Sequence, residues 1–286
     1  MSETPLSLLA HRFPQLYVAP AADAQEKHRL ASARGVVIPN ANLDHFEQSD
    51  KDELRMVDTP AGPVEALYLA NRDDFETFLQ IVGHKAAPVS IARTIGAITY
   101  SGLPDWGAVK KAHDAYLAAG GDDWSSEFRR LARKPGAFRA QLIAISNGPY
   151  SNIDAALTPF DGGEWLDVSR EIRLHHECAH VVCRRLMPND ILPVWDEVTA
   201  DVTGLICATR RYDADLAGLF LGVSTNGYTG GRLQEYVDEE RRPHLDDMAQ
   251  EIWSAMQQIE AQSQSIAPQD AFNFLLELKR HPLIAY

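Results

Sequence analysis

The chain carries the sequence His-Glu-Cys-Ala-His at residues 176–180, and this motif constrains the fold more than any other feature. In an α-helix, side chains four residues apart lie on the same face, so His176 and His180 point to one spot while Glu177 lies beside them. Two imidazoles at this spacing are a typical pair of metal ligands, and the adjacent carboxylate can accept a proton from water. The motif therefore predicts a helix that supplies two ligands of a zinc site.

A pair of acidic residues follows on the next predicted helix. Glu197 and Asp201 are four residues apart, and sixteen residues separate His180 from Glu197. Two His and one Glu are a standard ligand set for a zinc ion that keeps one open position, so we expect Glu197 as the third ligand. Asp201 lies one turn later on the same face, where it can accept a hydrogen bond from the free ring nitrogen of a ligand His. The small residues Gly204 and Ala208 continue this face and would let a neighbouring backbone approach closely.

Over about residues 174–204, this pattern resembles the gluzincins, the thermolysin-like zinc metallopeptidases. In that group, HExxH is followed on a second helix by Glu-x-x-x-Asp. The resemblance implies one Zn²⁺ held by His176, His180 and Glu197, with Asp201 behind a ligand His. It also implies that Glu177 activates a water molecule that cleaves a peptide bond of a peptide or protein substrate.

Hydrophobic periodicity predicts an α+β fold. Strands are expected at 64–69 and 95–100, and the apolar run at 141–145 indicates a strand that is covered on both faces. Helices are expected at 22–33, 72–82, 106–117 and about 123–131, then from a cap at Asp167 or Ser169 to Met187, and at 192–211, 213–221, 232–240, 244–261 and 268–279. We therefore expect a mixed lobe over 1–165 and a helical lobe over 166–286, or one continuous domain. The resemblance to zincins implies a sheet-bearing half followed by a helical half, with the metal-binding helix where the two halves meet.

Composition limits the function classes. The formal net charge is −13, which disfavours nucleic acid as a partner because no basic stripe faces the phosphates. No run of eighteen apolar residues and no signal-like start occur, so we expect neither a membrane partner nor secretion. Three cysteines are too few for a disulfide framework, and a cytoplasmic location is the simplest expectation.

Several alternatives remain open from the sequence. The same residues can hold zinc without turnover, as a scaffold or partner-binding protein, and Cys183 would then be a candidate fourth ligand. His175 is rotated by about 100° from His176 and is interpreted as structural. Pro149 suggests that the segment 146–152 lies at a sheet edge, where an extended substrate could pair. The candidate donors for a transition-state oxyanion are Tyr228, Arg232, Tyr236 and His244.

Overall fold

The computed structural model describes residues 3–189 and 192–285. The fold is mixed α+β, and the chain divides into two compact units. The first unit comprises residues 1–55 and 65–146, and the second comprises residues 56–64 and 147–286. Within the described ranges, no helix is both long and apolar enough to cross a membrane.

The first unit contains five helices and four strands within the described ranges, and strand β4 is its last element. The helices are α1 (Pro5–Arg12), α2 (Gln25–Arg34), α3 (Arg72–His84), α4 (Trp106–Ala118) and α5 (Trp124–Ala132). The strands are β1 (Glu53–Val57), β2 (Val64–Leu69), β3 (Ala97–Pro104) and β4 (Arg139–Ser146), which form one sheet in the order β1-β2-β4-β3. Strand β4 is parallel to β2 and antiparallel to β3. The predicted helices and strands of this unit are confirmed, and helix α1 and strand β1 are additional elements.

Strand β4 lies inside the sheet, which explains its continuous apolar sequence. Residues 142–146 are all buried, as expected for a strand that is covered on both faces. The prediction that 146–152 lies at a sheet edge is wrong, because β4 has a neighbouring strand on both sides and ends at Ser146. Pro149 lies beyond the strand and precedes a short 3-10 helix, Tyr150–Asn152.

The second unit is built mainly from helices. They are α6 (Gly162–Leu186), α7 (Pro193–Thr209), α8 (Ala214–Leu221), α9 (Leu245–Ser263) and α10 (Ala271–Arg280). The helices are connected by short 3-10 turns and by a hairpin. Each strand of the hairpin has two residues, β5 (Val223–Ser224) and β6 (Gly227–Tyr228). The apolar core includes the fully buried rings of Trp165, Trp195 and Phe220.

Helix α6 carries the HExxH motif and begins earlier than the sequence suggests. Asp161 caps the helix, since its side chain accepts a hydrogen bond from the Glu164 N–H at 2.8 Å. The predicted caps Asp167 and Ser169 are therefore wrong, and α6 starts before residue 165, the boundary expected from the sequence. The two glycines that follow Asp161 form the first turn, where backbone N–H groups need no intrahelical partner. The helix ends at Leu186, as the sequence predicts.

Two other expectations for this unit are corrected. The helix expected at 232–240 is a single 3-10 turn, Arg232–Glu235, because Val237 is buried in the core and tertiary packing outweighs local helix propensity. The sequence predicts helices and no strand beyond residue 192, and this is also wrong, because the hairpin β5–β6 follows α8.

Helices α6 and α7 cross at a glycine. A Cβ atom at Gly204 would lie only 2.8 Å from the Ile172 carbonyl oxygen, so no larger residue fits without a shift of the backbone. This contact confirms that a small residue on α7 permits close approach of the neighbouring backbone. The close crossing brings the acidic face of α7 to the His face of α6.

Candidate metal centre

Three side chains converge where α6 and α7 pack together. His176 Nε2 and His180 Nε2 lie 3.0 Å apart. The Glu197 carboxylate straddles the two rings, with Oε2 at 3.4 Å from His176 Nε2 and Oε1 at 3.3 Å from His180 Nε2. In the ranges that the structure describes, these three residues form the one group whose ligand-type atoms all lie within 4.8 Å of one another.

The distances fit a single small cation. A tetrahedral Zn²⁺ has bonds of about 2.0–2.2 Å to His nitrogen and carboxylate oxygen, which places ligand atoms about 3.3–3.5 Å apart. The distances from the Glu197 oxygens to the two Nε2 atoms fall in this range. The distance between the two Nε2 atoms themselves is shorter by about 0.3 Å. Both imidazoles and the carboxylate can therefore reach one ion with little rearrangement.

Asp201 lies behind His176 and orients its ring. Its Oδ1 atom is 2.8 Å from His176 Nδ1, and the Asp201 side chain is fully buried. An ionised carboxylate at this distance makes Nδ1 the hydrogen-bond donor, so Nε2 faces His180 and Glu197. This arrangement fixes which ring nitrogen is presented to a metal ion.

Tyr150 completes the buried cluster, and sequence reasoning missed it. Its hydroxyl donates to Asp201 Oδ1 at 2.5 Å and lies 2.9 Å from His176 Nδ1. Tyr150 is 26 residues before His176 in an irregular segment with no recognisable motif. Tyr150 lies beyond the strand predicted at 141–145, and no sequence signal marks it as part of the site.

Of the four candidate donors, Arg232 and Tyr236 lie beside the triad. Arg232 Nη2 donates to Asp201 Oδ2 at 2.7 Å, and Arg232 Nη1 is 3.8 Å from Glu197 Oε2. The charges of Arg232 and Glu197 both act on the pKa of the Tyr236 phenol, which places Tyr236 near these two groups. A guanidinium and a phenol thus border the third candidate ligand.

The other two candidate donors are placed differently. The Tyr228 hydroxyl is engaged within its own loop, where it donates to the Gly231 carbonyl at 2.8 Å and accepts from the Gly231 N–H at 3.0 Å. His244 is exposed at the start of α9. The structure therefore brings neither side chain to the triad.

Three further residues of α6 lie in or next to the motif. Glu177, which follows His176 directly, is half-buried. His175 faces away from the triad, with Nε2 at 3.8 Å from Glu171 and its ring packed near Phe272. Cys183 is not a member of the metal-type group in the described part of the chain, and none of the three cysteines forms a disulfide bond.

The electrostatics of the cluster favour positive charge between two carboxylates. Burial alone would lower the pKa of His176, but hydrogen bonds and charges from Asp201 and Glu197 outweigh it and raise the pKa to about 9. Burial also opposes ionisation of Glu197, yet hydrogen bonds from His176 and His180 hold the pKa of its carboxyl well below the usual range. For Asp201, the charge of Arg232 and the His176 hydrogen bond outweigh burial and lower the pKa. Both carboxylates are therefore ionised, with Glu197 facing both rings and Asp201 facing His176 alone.

The second unit thus combines a helical scaffold with a buried site of metal-ligand type. The chain belongs to DUF7005, a family of unknown function, whose model matches residues 5–284. Searches of curated proteins and of solved structures found no match.

Proposed function

We propose that this protein is a zinc-dependent hydrolase, and specifically a metallopeptidase with a gluzincin-like site in a zincin-like fold. The observation that carries the proposal is the convergence of His176, His180 and Glu197. The Glu197 oxygens lie 3.4 and 3.3 Å from the two Nε2 atoms, which matches the ligand spacing of one tetrahedral Zn²⁺, and the two Nε2 atoms are 3.0 Å apart. The Asp201 hydrogen bond to His176 Nδ1 supports it, because metal-bound His usually donates its other ring nitrogen to a carboxylate or a carbonyl.

The number of candidate ligands favours catalysis over a structural clamp. Structural zinc sites in proteins are usually closed by four protein ligands, whereas catalytic sites keep three and leave one position open. The metal-type group in the described ranges has three members, and Cys183 is not one of them. The alternative of a zinc-binding scaffold without turnover is therefore the less favoured proposal.

The residues of the site have separate roles in the proposed reaction. A zinc ion bound there would act as a Lewis acid that polarises the substrate carbonyl and makes water more acidic. Glu177 follows His176 directly on α6, and we assign it the general-base role of accepting the proton of the attacking water. Glu177 then returns that proton to the leaving amine as the peptide bond breaks.

Tyr236 and Arg232 are the proposed donors to the developing oxyanion. Burial raises the pKa of Tyr236, and although the Arg232 charge opposes this, the Glu197 carboxylate adds to it, so the phenol stays protonated and can donate. Arg232 holds a permanent positive charge beside Glu197. Donors that are already in place before charge develops contribute most to the rate.

A peptide or protein substrate is favoured by the space next to Tyr236. A cavity of about 230 Å³ is lined in part by Tyr236 and by the apolar side chains of Leu192, Val194 and Met248. The cavity has room for one apolar side chain of a substrate, and Val237, Asp238 and Arg241 also line it. Cytoplasmic action, expected from the low cysteine content, stays a prediction.

The test compares wild type with Glu177→Gln by digestion of a peptide library and by elemental analysis of purified protein. The variant removes the general base but no metal ligand, so we expect the zinc content of wild type and a loss of cleavage by at least 100-fold, within the range typical of general-base catalysis. Glu164→Gln is the matched control, because it makes the same chemical change at an exposed position in the first turn of the same helix. Cleavage by Glu177→Gln at the wild-type rate, or wild-type protein without bound zinc, contradicts the proposal.

A further inference from the structure

We infer that Tyr150 is a positioning residue that holds the candidate ligand His176 in its metal-binding orientation. We also infer that hydrogen bonds from side chains of α6 to the backbone around Tyr150 hold Tyr150 in place. This inference rests on the proposed function, because it assigns Tyr150 a role in zinc affinity at the same site. Tyr150 acts through His176 and Asp201 and is not itself a proposed ligand.

The hydroxyl of Tyr150 lies at the centre of the buried network. It donates to Asp201 Oδ1 at 2.5 Å, lies 2.9 Å from His176 Nδ1, and is 3.4 Å from Arg232 Nη2. The same Oδ1 atom faces the His176 ring nitrogen at 2.8 Å. The hydroxyl therefore restrains both the Asp201 carboxylate and the plane of the His176 ring.

Three side chains of α6 hold the backbone around Tyr150. Ser169 Oγ accepts a hydrogen bond from the Tyr150 N–H at 2.9 Å. Arg173 donates to the carbonyls of Gly148 and Pro149 at 2.6 and 2.7 Å, and Trp165 Nε1 donates to the Ile153 carbonyl at 2.9 Å.

These side chains share the helix face of the metal ligand. Trp165, Ser169, Arg173 and His176 follow one another at spacings of four, four and three, which places them on one stripe of α6. The helix that supplies His176 thus also fixes the segment whose tyrosine reaches the back of the His176 ring.

The clamped backbone adopts a conformation that most residues avoid. Ser151 and Asn152 have φ values of 50° and 58°, two consecutive left-handed residues without glycine. Such backbone costs of the order of 1 kcal/mol or more per residue and persists only where surrounding contacts impose it. The hydrogen bonds from α6 supply those contacts, and the strained turn directs the Tyr150 side chain inward.

The ring of Tyr150 is also enclosed, so its hydroxyl has little freedom to move. Phe220 contacts it edge-on with ring centroids 4.7 Å apart, and the Arg232 guanidinium lies 5.0 Å from the ring centroid. Phenylalanine at this position would keep both ring contacts and lose only the hydroxyl. The effect of the hydroxyl can therefore be measured separately from the packing.

The experiment measures zinc affinity of Tyr150→Phe by competition with a chromophoric chelator. Loss of an outer-shell partner typically weakens metal binding by about 10–100-fold, and we expect a loss in this range. The visible absorption spectrum of the Co²⁺-substituted protein is expected to change as well, because it reports ligand geometry. Tyr212→Phe is the matched control, since Tyr212 is as buried as Tyr150, at 4% exposure, and its hydroxyl has no hydrogen-bond partner within the described chain.

Asp201→Asn provides a second variant and a double-mutant cycle. If Tyr150 acts through Asp201, the double variant loses less affinity than the product of the two single losses. Wild-type zinc affinity and an unchanged Co²⁺ spectrum in Tyr150→Phe overturn the inference even where wild type binds zinc. If Tyr150→Phe does not fold, unchanged zinc affinity in Asp201→Asn overturns it instead. Wild type that binds no zinc overturns the proposed function and the inference together.

Discussion

Gly204 sets the distance between the two helices that carry the candidate ligands, so Gly204→Ala tests whether their close crossing makes the site. A methyl group at Gly204 would lie 2.8 Å from the Ile172 carbonyl oxygen, about 0.6 Å short of the 3.4 Å at which ordinary van der Waals contact begins. Because the clash is with backbone, no side-chain rotation can relieve it. Helix α7 must move away from α6, or one helix must bend.

The consequence for the site follows from the tolerance of metal coordination. Zinc sites accept deviations of about 0.2 Å in ligand distance, whereas relief of the clash requires roughly three times that displacement between α6 and α7. Glu197 is the one candidate ligand on α7, so it moves relative to both rings. We expect zinc affinity to fall by at least 10-fold, which corresponds to about 1.4 kcal/mol. Overpacking costs about 1–3 kcal/mol and the higher helix propensity of alanine returns about 1 kcal/mol, so the metal-free protein loses about 0–2 kcal/mol of stability.

The assay measures zinc affinity by chelator competition and the free energy of unfolding of metal-free protein by urea titration. Gly162→Ala is the control, because a Cβ at that position in the first turn of α6 would meet no atom within 4 Å beyond its chain neighbours and its own helix backbone. It should keep wild-type zinc affinity. Wild-type zinc affinity in Gly204→Ala, together with a gain in stability, would refute the argument that this close crossing assembles the site.

Two further predictions concern the scaffold. Asp161→Ala removes the cap of α6 and should lower the free energy of unfolding, measured in urea, by about 1 kcal/mol. Zinc affinity should stay unchanged, because His176 lies four turns away from Asp161. A stability equal to wild type would contradict the assigned cap. In the first unit, burial lowers the pKa of His28 below its usual 6.5, so the stability that neutral His28 contributes is present above pH 6.5 and is lost as the pH falls below it. The urea midpoint of wild type should therefore drop more between neutral pH and about pH 5.5 than that of His28→Gln, and equal drops would contradict the assignment.

The candidate ligands were predictable because their pattern is local. His176 and His180 need only one regular helix to share a face, and the i, i+4 spacing is legible in the sequence. Glu197 required one more assumption, that the next helix packs against the first with its acidic face inward. Gly204 on the same stripe was the sequence signal for that packing, and the contact with Ile172 accounts for it.

Tyr150 and Arg232 illustrate what the sequence does not reveal. Tyr150 is 51 residues from Asp201, and Arg232 is 31 residues from it, so no periodic pattern links them. Both lie in irregular segments whose path depends on tertiary contacts, such as the hydrogen bonds from α6 to residues 148–153. The sequence offers Arg232 as one of four candidate donors, and only the fold separates it from Tyr228 and His244.

The errors in secondary structure have similar causes. Strand β1 (Glu53–Val57) alternates charged and apolar residues within an acidic stretch, and it forms because β2 offers a partner for its backbone. The start of α6 was misplaced because two glycines after Asp161 suggest a turn, whereas the Asp161 side chain makes the same residues a capped first turn. In both cases a specific backbone hydrogen-bond partner outweighed residue propensity.

The central claim is that His176, His180 and Glu197 hold one metal ion, and anomalous diffraction at the zinc absorption edge tests it most directly. Crystals of the protein grown with Zn²⁺ should give one strong anomalous peak about 2.0–2.2 Å from Nε2 of each His and from a Glu197 oxygen. The peak should be lost in Glu197→Ala or reduced to low occupancy. A peak held by other residues, or no peak at the triad at saturating zinc, would contradict the account.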